Sequence, residues 1–467
     1  YAACQNFVDG DYKPYLFKTT DGGHSWFLFN GNLPEKGSTY TIAQDGVDKD
    51  LLFVGTQFGV YYSADGGKEW IQLKNGIPTE CVMDLTIQRR ENDLVVSTFG
   101  RGIYILDNYT PLRYLNEDKN KDAVIFPIKD ALMYIQATPL GYAGVGSQGA
   151  NFYSAPNPPF GAVFTYYLKN NIKSLKEIRR DKEKKELKKK EDIKYPSYQE
   201  MLNEKEEPES YLLFTITDDQ GNVIRKLKTE AHKGVNRIVW NFRYAPFTPV
   251  SLKKPDNSIP WEQPDLGYMV VPGKYKVSLS KFENGKFTEL VKPQEFVCKL
   301  LHNTTLPHPN EEELNKFNKD VAKLTRAMSG ANAFRKSLVN KIAYMEKAVI
   351  EGANVPDDTY DTIISIKKEL DAFNRRLNGD PLLSNYEGAA PTSLKDRIDM
   401  ITSSLWTTTS APTTTFIQSY NVAAEQFGEL LTRLKSIESE VKTVESILEK
   451  YGAPYTPGRF PEWRKGG

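Results

Sequence analysis

Apolar residues come in short alternating runs through the first two thirds of the chain, and at three-and-four spacing through the last third. Leu52-Phe53-Val54-Gly55-Thr56 and Gly59-Val60-Tyr61-Tyr62 predict two strands. The pair returns 42 residues later as Leu94-Val95-Val96-Ser97-Thr98 and Gly102-Ile103-Tyr104-Ile105. Asn32-Leu33-Pro34, Asp45-Gly46, Asn75-Gly76-Ile77-Pro78 and Glu91-Asn92-Asp93 mark the turns. From Asp122 onward, short runs predict strands at residues 123–126, 162–168, 211–217, 223–227, 236–241 and 274–279. Asp218-Asp219-Gln220-Gly221-Asn222 is a hairpin turn, and Pro272-Gly273-Lys274-Tyr275 leads into what reads as the final strand. Residues 141–159, rich in Gly, Ser, Asn and Pro, predict a surface loop.

The period changes after Leu306-Pro307-His308-Pro309. Asn310, with Glu313 three residues on, opens a helix carrying Leu314, Phe317, Val321, Leu324, Met328, Phe334, Leu338, Met345 and Val349 on one stripe. Ile363, Ile366, Leu370, Phe373 and Leu377 mark a second helix stopped by Asn378-Gly379. Leu394, Ile398, Ile401 and Leu405 mark a third. Phe416, Tyr420, Ala423, Phe427, Leu430, Leu434, Ile437, Val441, Val444 and Leu448 mark a fourth, ending at Gly452. Short connections between them favour antiparallel neighbours. These stripes read as core, and no inward Glu/His pairs point to a metal. Residues 169–210 interrupt the strand region with a Lys/Glu run whose apolar positions are too sparse for a buried stripe. Its alternating signs predict a solvated helical excursion laced with i,i+4 pairs.

Between strands of the first region sit two matching stretches, Thr19-Thr20-Asp21-Gly22-Gly23-His24-Ser25-Trp26 and Ser63-Ala64-Asp65-Gly66-Gly67-Lys68-Glu69-Trp70. Both fit Ser/Thr-x-Asp-x-Gly-x-x-Trp, 44 residues apart. A repeat of this period with strand-like flanks predicts β-propeller blades. Thr19, Asp21 and Gly23, like Ser63, Asp65 and Gly67, are turn-builders: the Asp accepts backbone N–H groups and the Gly takes φ > 0. Trp26 and Trp70 are expected to cover the seam between sheets. A third copy ends in Asp107-Asn108 and has lost its Trp. That makes about two and a half blades, where closed rings have roughly 4–8. The remainder of the propeller is therefore expected in an N-terminal part of a longer protein, while the Pro/Gly-rich tail with Phe460 and Trp463 reads as a true C-terminus.

The predicted architecture is multidomain β plus α. Asp-box β-propeller blades occupy residues 1–113, and an immunoglobulin-like β-sandwich occupies 114–305 with the charged insertion 169–210. A C-terminal four-helix bundle occupies 306–452, and an extended tail 453–467. A length of 467 residues, 39% hydrophobic and 12% aromatic, supports several cores. A net charge of +1 gives no electrostatic case for nucleic acid, and no stretch reaches the length of a membrane span. Cys4, Cys81 and Cys298 have no metal or framework spacing and read as buried free thiols, with a Cys4–Cys81 bridge the alternative.

Together these features resemble the C-terminal part of the sortilin-like (VPS10-like) Asp-box, or BNR-repeat, propeller proteins of Bacteroidetes and related bacteria, often labelled glycosyl hydrolases. The likeness rests on Asp11-Tyr12-Lys13-Pro14-Tyr15, on residues 52–59, and on Ser97-Thr98-Phe99-Gly100-Arg101-Gly102-Ile103-Tyr104-Ile105-Leu106-Asp107. It continues in Gly234-Val235-Asn236, Val239-Trp240-Asn241 and Pro272-Gly273-Lys274-Tyr275. The resemblance implies an exported protein of the periplasm, outer-membrane surface or medium. The Lys/Glu insertion is not part of the pattern.

Candidate chemistry is thin. A sialidase-like hydrolase needs an Arg cluster, a Tyr nucleophile and an acid. Arg89, Arg90, Arg101, Tyr61, Tyr62 and Tyr104 are the available residues, and no spacing joins them. Arg101, between two glycines, is the candidate ligand-binding residue for an anion, against a plain strand-edge ion pair. His24, His232, His302 and His308 form no metal or triad pattern, so no metal and no cofactor are expected. Asn108-Tyr109-Thr110 and Asn303-Thr304-Thr305 would be glycan sequons only in a eukaryote. The sequence is expected to encode a binding or scaffold module for protein, peptide or glycan at the cell envelope. The alternatives are a glycoside hydrolase with its catalytic residues in missing blades, and an accessory subunit of an outer-membrane transport or secretion complex.

Overall fold

The computed structural model describes residues 1–136, 157–190, 192, 195–252, 266–301, 310–386, 390–461 and 463. Most of the loop expected at 141–159 lies outside these residues, as do His302, His308 and the sequon at Asn303.

Three antiparallel sheets come first. β1 (Ala2–Asn6), β2 (Asp11–Lys18) and β3 (Phe27–Leu28) form one; β4 (Thr39–Gln44), β5 (Leu52–Thr56), β6 (Gly59–Ser63) and β7 (Ile71–Leu73) form the second. β8 (Val82–Gln88), β9 (Asp93–Thr98) and β10 (Ile103–Leu106) form the third, in the order β10-β9-β8. Strand alternation sorts the second sheet's side chains onto two faces. Leu52, Val54 and Tyr61 pack with Leu16, Leu33 and Trp70 toward the first sheet. Phe53, Val60 and Tyr62 pack with Val82, Leu85, Leu94 and Val96 toward the third. α1 (Leu112–Asp118), not anticipated from the sequence, follows the third sheet and adds Leu112 to that second seam.

Two further sheets enclose a common core. β11 (Ala123–Ile125), β12 (Ala131–Met133) and β13 (Ala162–Leu168) precede the charged insertion. In it, α2 (Leu175–Lys188) and α3 (Tyr198–Glu206) form a hairpin without a buried residue. Each begins with a reciprocal capping box, Ser174 with Glu177 and Ser197 with Glu200. Arg179 holds the hairpin together by bonding both Glu183 and Glu204. β14 (Tyr211–Asp218), β15 (Val223–Thr229), β16 (Gly234–Trp240), β17 (Gly273–Glu283) and β18 (Lys286–Leu300) complete the sheets β11-β13-β16 and β12-β18-β17-β14-β15. Phe164, Tyr166, Phe214, Trp240 and Phe296 fill the space between them.

The strand entered at Pro272 is not the final one. It turns at Asn284-Gly285, both at φ > 0 (51° and 77°), into the 15-residue β18. β18 carries Pro293 and six charged or amide side chains, which hide its strand character from a hydrophobic reading.

The C-terminal region is helical: α4 (Glu311–Glu351), α5 (Asp358–Asn378), the short α6 (Pro381–Tyr386), α7 (Leu394–Leu405) and α8 (Thr414–Lys450). α4, α5, α7 and α8 share one core running from Leu314 to Leu448. Phe334, expected in that stripe, is instead exposed at a shallow groove between α4 and α8. In the tail, Ala453 and Thr456 are buried while Phe460 and Trp463 are exposed. All three cysteines are free; Cys298 is buried, Cys81 half-buried and Cys4 exposed, so burial of all three is corrected at Cys4.

Candidate binding cleft

The two matching loops adopt one geometry. Thr19 and Ser63 each accept the N–H of the Gly four residues on at 2.9 Å and donate to the Asp two residues on, at 2.8 and 2.7 Å. Asp21 accepts the Ser25 N–H at 2.9 Å; Asp65 accepts the Lys68 and Glu69 N–H groups at 3.0 Å. Gly22, Gly23, Gly66 and Gly67 all sit at φ between 73° and 94°. Hydrogen bonds from Ser25 and Thr19 hold the Asp21 carboxyl down at about 2. Burial opposes the charge on Asp65, yet backbone and Ser63 donors still lower its carboxyl.

The tryptophans part company. Trp70 is 4% exposed, packed in the seam between the first two sheets; Trp26, its counterpart, is 46% exposed. Gly31 and Asn32 of the first repeat lie directly against the Trp70 strand. A Cβ on Gly31 would sit 2.6 Å from the Lys68 carbonyl oxygen, and Asn32 Oδ1 accepts the Trp70 N–H at 2.5 Å.

A cleft of about 590 Å³ opens in the next seam, between the second and third sheets. One wall is Val60, Tyr62, Ile71 and Leu73; the other is Leu94, Val96, Tyr104 and Leu106. Each wall is one face of a strand pair, since Val60 lies opposite Leu73 and Tyr62 opposite Ile71, while Leu94 lies opposite Leu106 and Val96 opposite Tyr104. Ile77, Pro111 and Leu112 also line it, and its mouth carries Lys74, Asn75, Asn108, Asn236 and Arg237. Arg237 Nη2 donates to the carbonyl oxygens of Asp107 at 2.6 Å and Asn108 at 2.9 Å, fixing the end of β10 against β16. An apolar cleft with a few polar groups at its rim is the usual form of a binding site.

Residues named for hydrolase chemistry are dispersed. Tyr61 and Tyr62 point into opposite seams, and burial pushes the Tyr62 phenol up to about 12. Arg90 pairs with Glu91, and Arg101 Nε pairs with Glu80 at 3.3 Å on an exposed turn. Of the set, Tyr62 and Tyr104 reach the cleft, on opposite walls and without an arginine or acid of the set beside them. Among the described residues no group of three or more His, Cys, Asp or Glu is placed to hold a metal. The cleft itself was hidden in the sequence, although its signal was present: the third repeat lacks the Trp that fills the preceding seam.

No family model matches this chain. No curated protein matches it either. Among solved structures, it is similar to PorZ, described as an essential bacterial surface component of the type-IX secretion system of Porphyromonas gingivalis. Identity there is 12%, over 63% of this chain and 26% of that chain, with a TM-score of 0.17. Two structures of the extracellular domain of BT4673 from B. thetaiotaomicron are also similar, at 12% and 10% identity. They match 62% and 61% of this chain and 29% and 27% of theirs, with TM-scores of 0.16 and 0.15. The chain thus spans less than a third of the length of the structures it matches. Among the described residues no helix is long and apolar enough to cross a membrane.

Proposed function

We propose that this chain is a binding or scaffold part of an exported cell-envelope protein, and that the cleft between the second and third sheets is its docking site for a protein, peptide or glycan. The three sheets are read as Asp-box blades of a sortilin-like propeller (residues 1–113). The two-sheet unit is read as an immunoglobulin-like sandwich (114–305), the helical region as a four-helix docking bundle (306–452), and 453–467 as a tail. The loop geometry supports the Asp-box reading, because both loops repeat the same bonds around Asp21 and Asp65.

One observation carries the binding reading: an apolar cleft of about 590 Å³ whose walls are rigid strands and whose rim is polar. Asp21 and Asp65 are engaged in their own loops and ionised at neutral pH, so neither has a proton to give as a general acid.

Peptide and glycan arrays probed with the native protein and with Ile77→Trp test the proposal. Ile77 lines the cleft, and the larger side chain takes up its space. Native binding that falls at least tenfold in Ile77→Trp, with an unchanged melting temperature, is expected. Binding that survives the substitution, or no binding at all, removes the cleft from consideration.

A further inference from the structure

We propose that β10 accepts one more strand of the chain's own repeat type, which places a tryptophan in the cleft. This rests on reading the cleft as a protein-binding site, and it names the occupant.

The second sheet shows what the third lacks. Its four strands run β4-β5-β6-β7, with β7 on the outer side of β6; the third sheet stops at β10. Gly59-Val60-Tyr61-Tyr62 and Gly102-Ile103-Tyr104-Ile105 are the same segment of successive repeats. Val60 and Tyr62 pair with Leu73 and Ile71 of β7, whereas among the described residues no strand pairs with the outer side of Ile103 and Ile105.

The free edge has a defined register. The Thr98 N–H donates to the Gly102 carbonyl at 3.1 Å, which makes this a hydrogen-bonded pair at the head of the β9–β10 ladder. Alternation then gives the next bonded pairs to Val96 with Tyr104 and Leu94 with Leu106. The backbone groups of Ile103 and Ile105 are left facing outward, where those of Val60 and Tyr62 meet β7.

An incoming strand patterned on Trp70-Ile71-Gln72-Leu73 and set in the β6–β7 register places its Leu opposite Ile103 and its Ile opposite Ile105. Its Trp then falls opposite Leu106, on the face that lines the cleft. In the preceding seam that position is filled by Trp70, against Leu16 and Leu33. Ile77, the counterpart of Leu33, lines the empty cleft. Gly76 stands in the place of Asn32, so the new strand lacks the side-chain clamp that holds Trp70 and is held by the β10 edge and the cleft alone. The two features, an open edge and a cavity, are thus explained by one missing element.

The probe is a fluorescein-labelled peptide of residues 68–75, Lys-Glu-Trp-Ile-Gln-Leu-Lys-Asn, added to the intact protein. Saturable binding in the micromolar range is expected, with amide exchange at Ile103 and Ile105 slowed at least tenfold. The same peptide with alanine for tryptophan should bind at least tenfold more weakly. Ile105→Pro, which removes an outward N–H, should abolish binding; if that variant does not fold, the alanine peptide on the native protein remains decisive. Three results overturn the proposal: no saturable binding, binding that leaves exchange at Ile103 and Ile105 unchanged, or exchange there that slows with protein concentration alone, which assigns the edge to a second copy. Array ligands that Ile77→Trp abolishes, together with no peptide binding, would leave the cleft a binding site and remove only the strand.

Discussion

Asp45 is the most consequential single carboxylate among the described residues. Its side chain is fully buried, and it accepts two bonds from the Arg113 guanidinium at 2.8 Å and one from the Tyr109 hydroxyl at 2.6 Å. Arg113 also reaches Asn92, so the start of α1 is tied to turns in both the second and third sheets. Burial opposes the charge, but Arg113, Tyr109 and the Asp48 N–H outweigh it and hold the carboxyl at about 2, down from an ordinary 3.8. A depressed folded pKa contributes stability that is fully present above about pH 4 and is lost as the pH falls toward 2. The size of that pH-dependent part is roughly 2 kcal/mol. Asp45→Asn leaves Arg113 buried without its counter-charge and should lower stability by about 3 kcal/mol at neutral pH. Urea melts between pH 2 and pH 6 check both points. The variant's stability should be the flatter function of pH below 4, and parallel curves would show that Asp45 is not the titrating group.

Individual elements show how much of this was legible and where legibility stopped. The loop chemistry around Asp21 and Asp65 could be read directly, because a short side chain bonding its own turn is a local matter. The helix stripes were legible for the same reason, apart from Phe334, whose exposure depends on how far α8 covers α4. The β17–β18 hairpin carries its signal in Asn284-Gly285, a stronger mark than the turn at Pro272. Trp26 and Trp70 read identically in sequence, and only the stacking of sheets separates them. Trp70→Ala should cost about 3–5 kcal/mol, because it empties a seam lined by Leu16, Leu33 and Tyr61. Trp26→Ala, at a half-exposed position, should cost under about 1 kcal/mol. Equal losses in denaturant melts would mean that Trp26 is covered in solution, and would place a further sheet against the first.

At the scale of the whole molecule, the sheets and helices are joined through an aromatic cluster that no sequence period announces. Arg243 donates to the carbonyl oxygens of Gly267 and of Trp406 at the end of α7. Tyr268 stacks on Tyr244 at 4.2 Å, and Phe247 and Tyr268 lie 5.9 and 5.8 Å from the Trp406 ring. Tyr268 belongs to the helical core although it comes from the strand region, so the two cores meet at this point. Aromatic pairs of this kind contribute about 0.5–1.5 kcal/mol each beyond their burial, enough to couple two units that each have a core of their own. Trp406→Ala removes both ring contacts and should uncouple the units by about 3–5 kcal/mol. Calorimetry of the native protein should then show the strand and helical regions melting in one linked transition. The variant should show two, with ellipticity at 222 nm lost in the helical one. Arg243→Met, which removes the hydrogen bonds and keeps the rings, should shift the link by less. A variant that still melts in a single transition, with its calorimetric and van't Hoff enthalpies equal, would show that the coupling lies elsewhere along the chain.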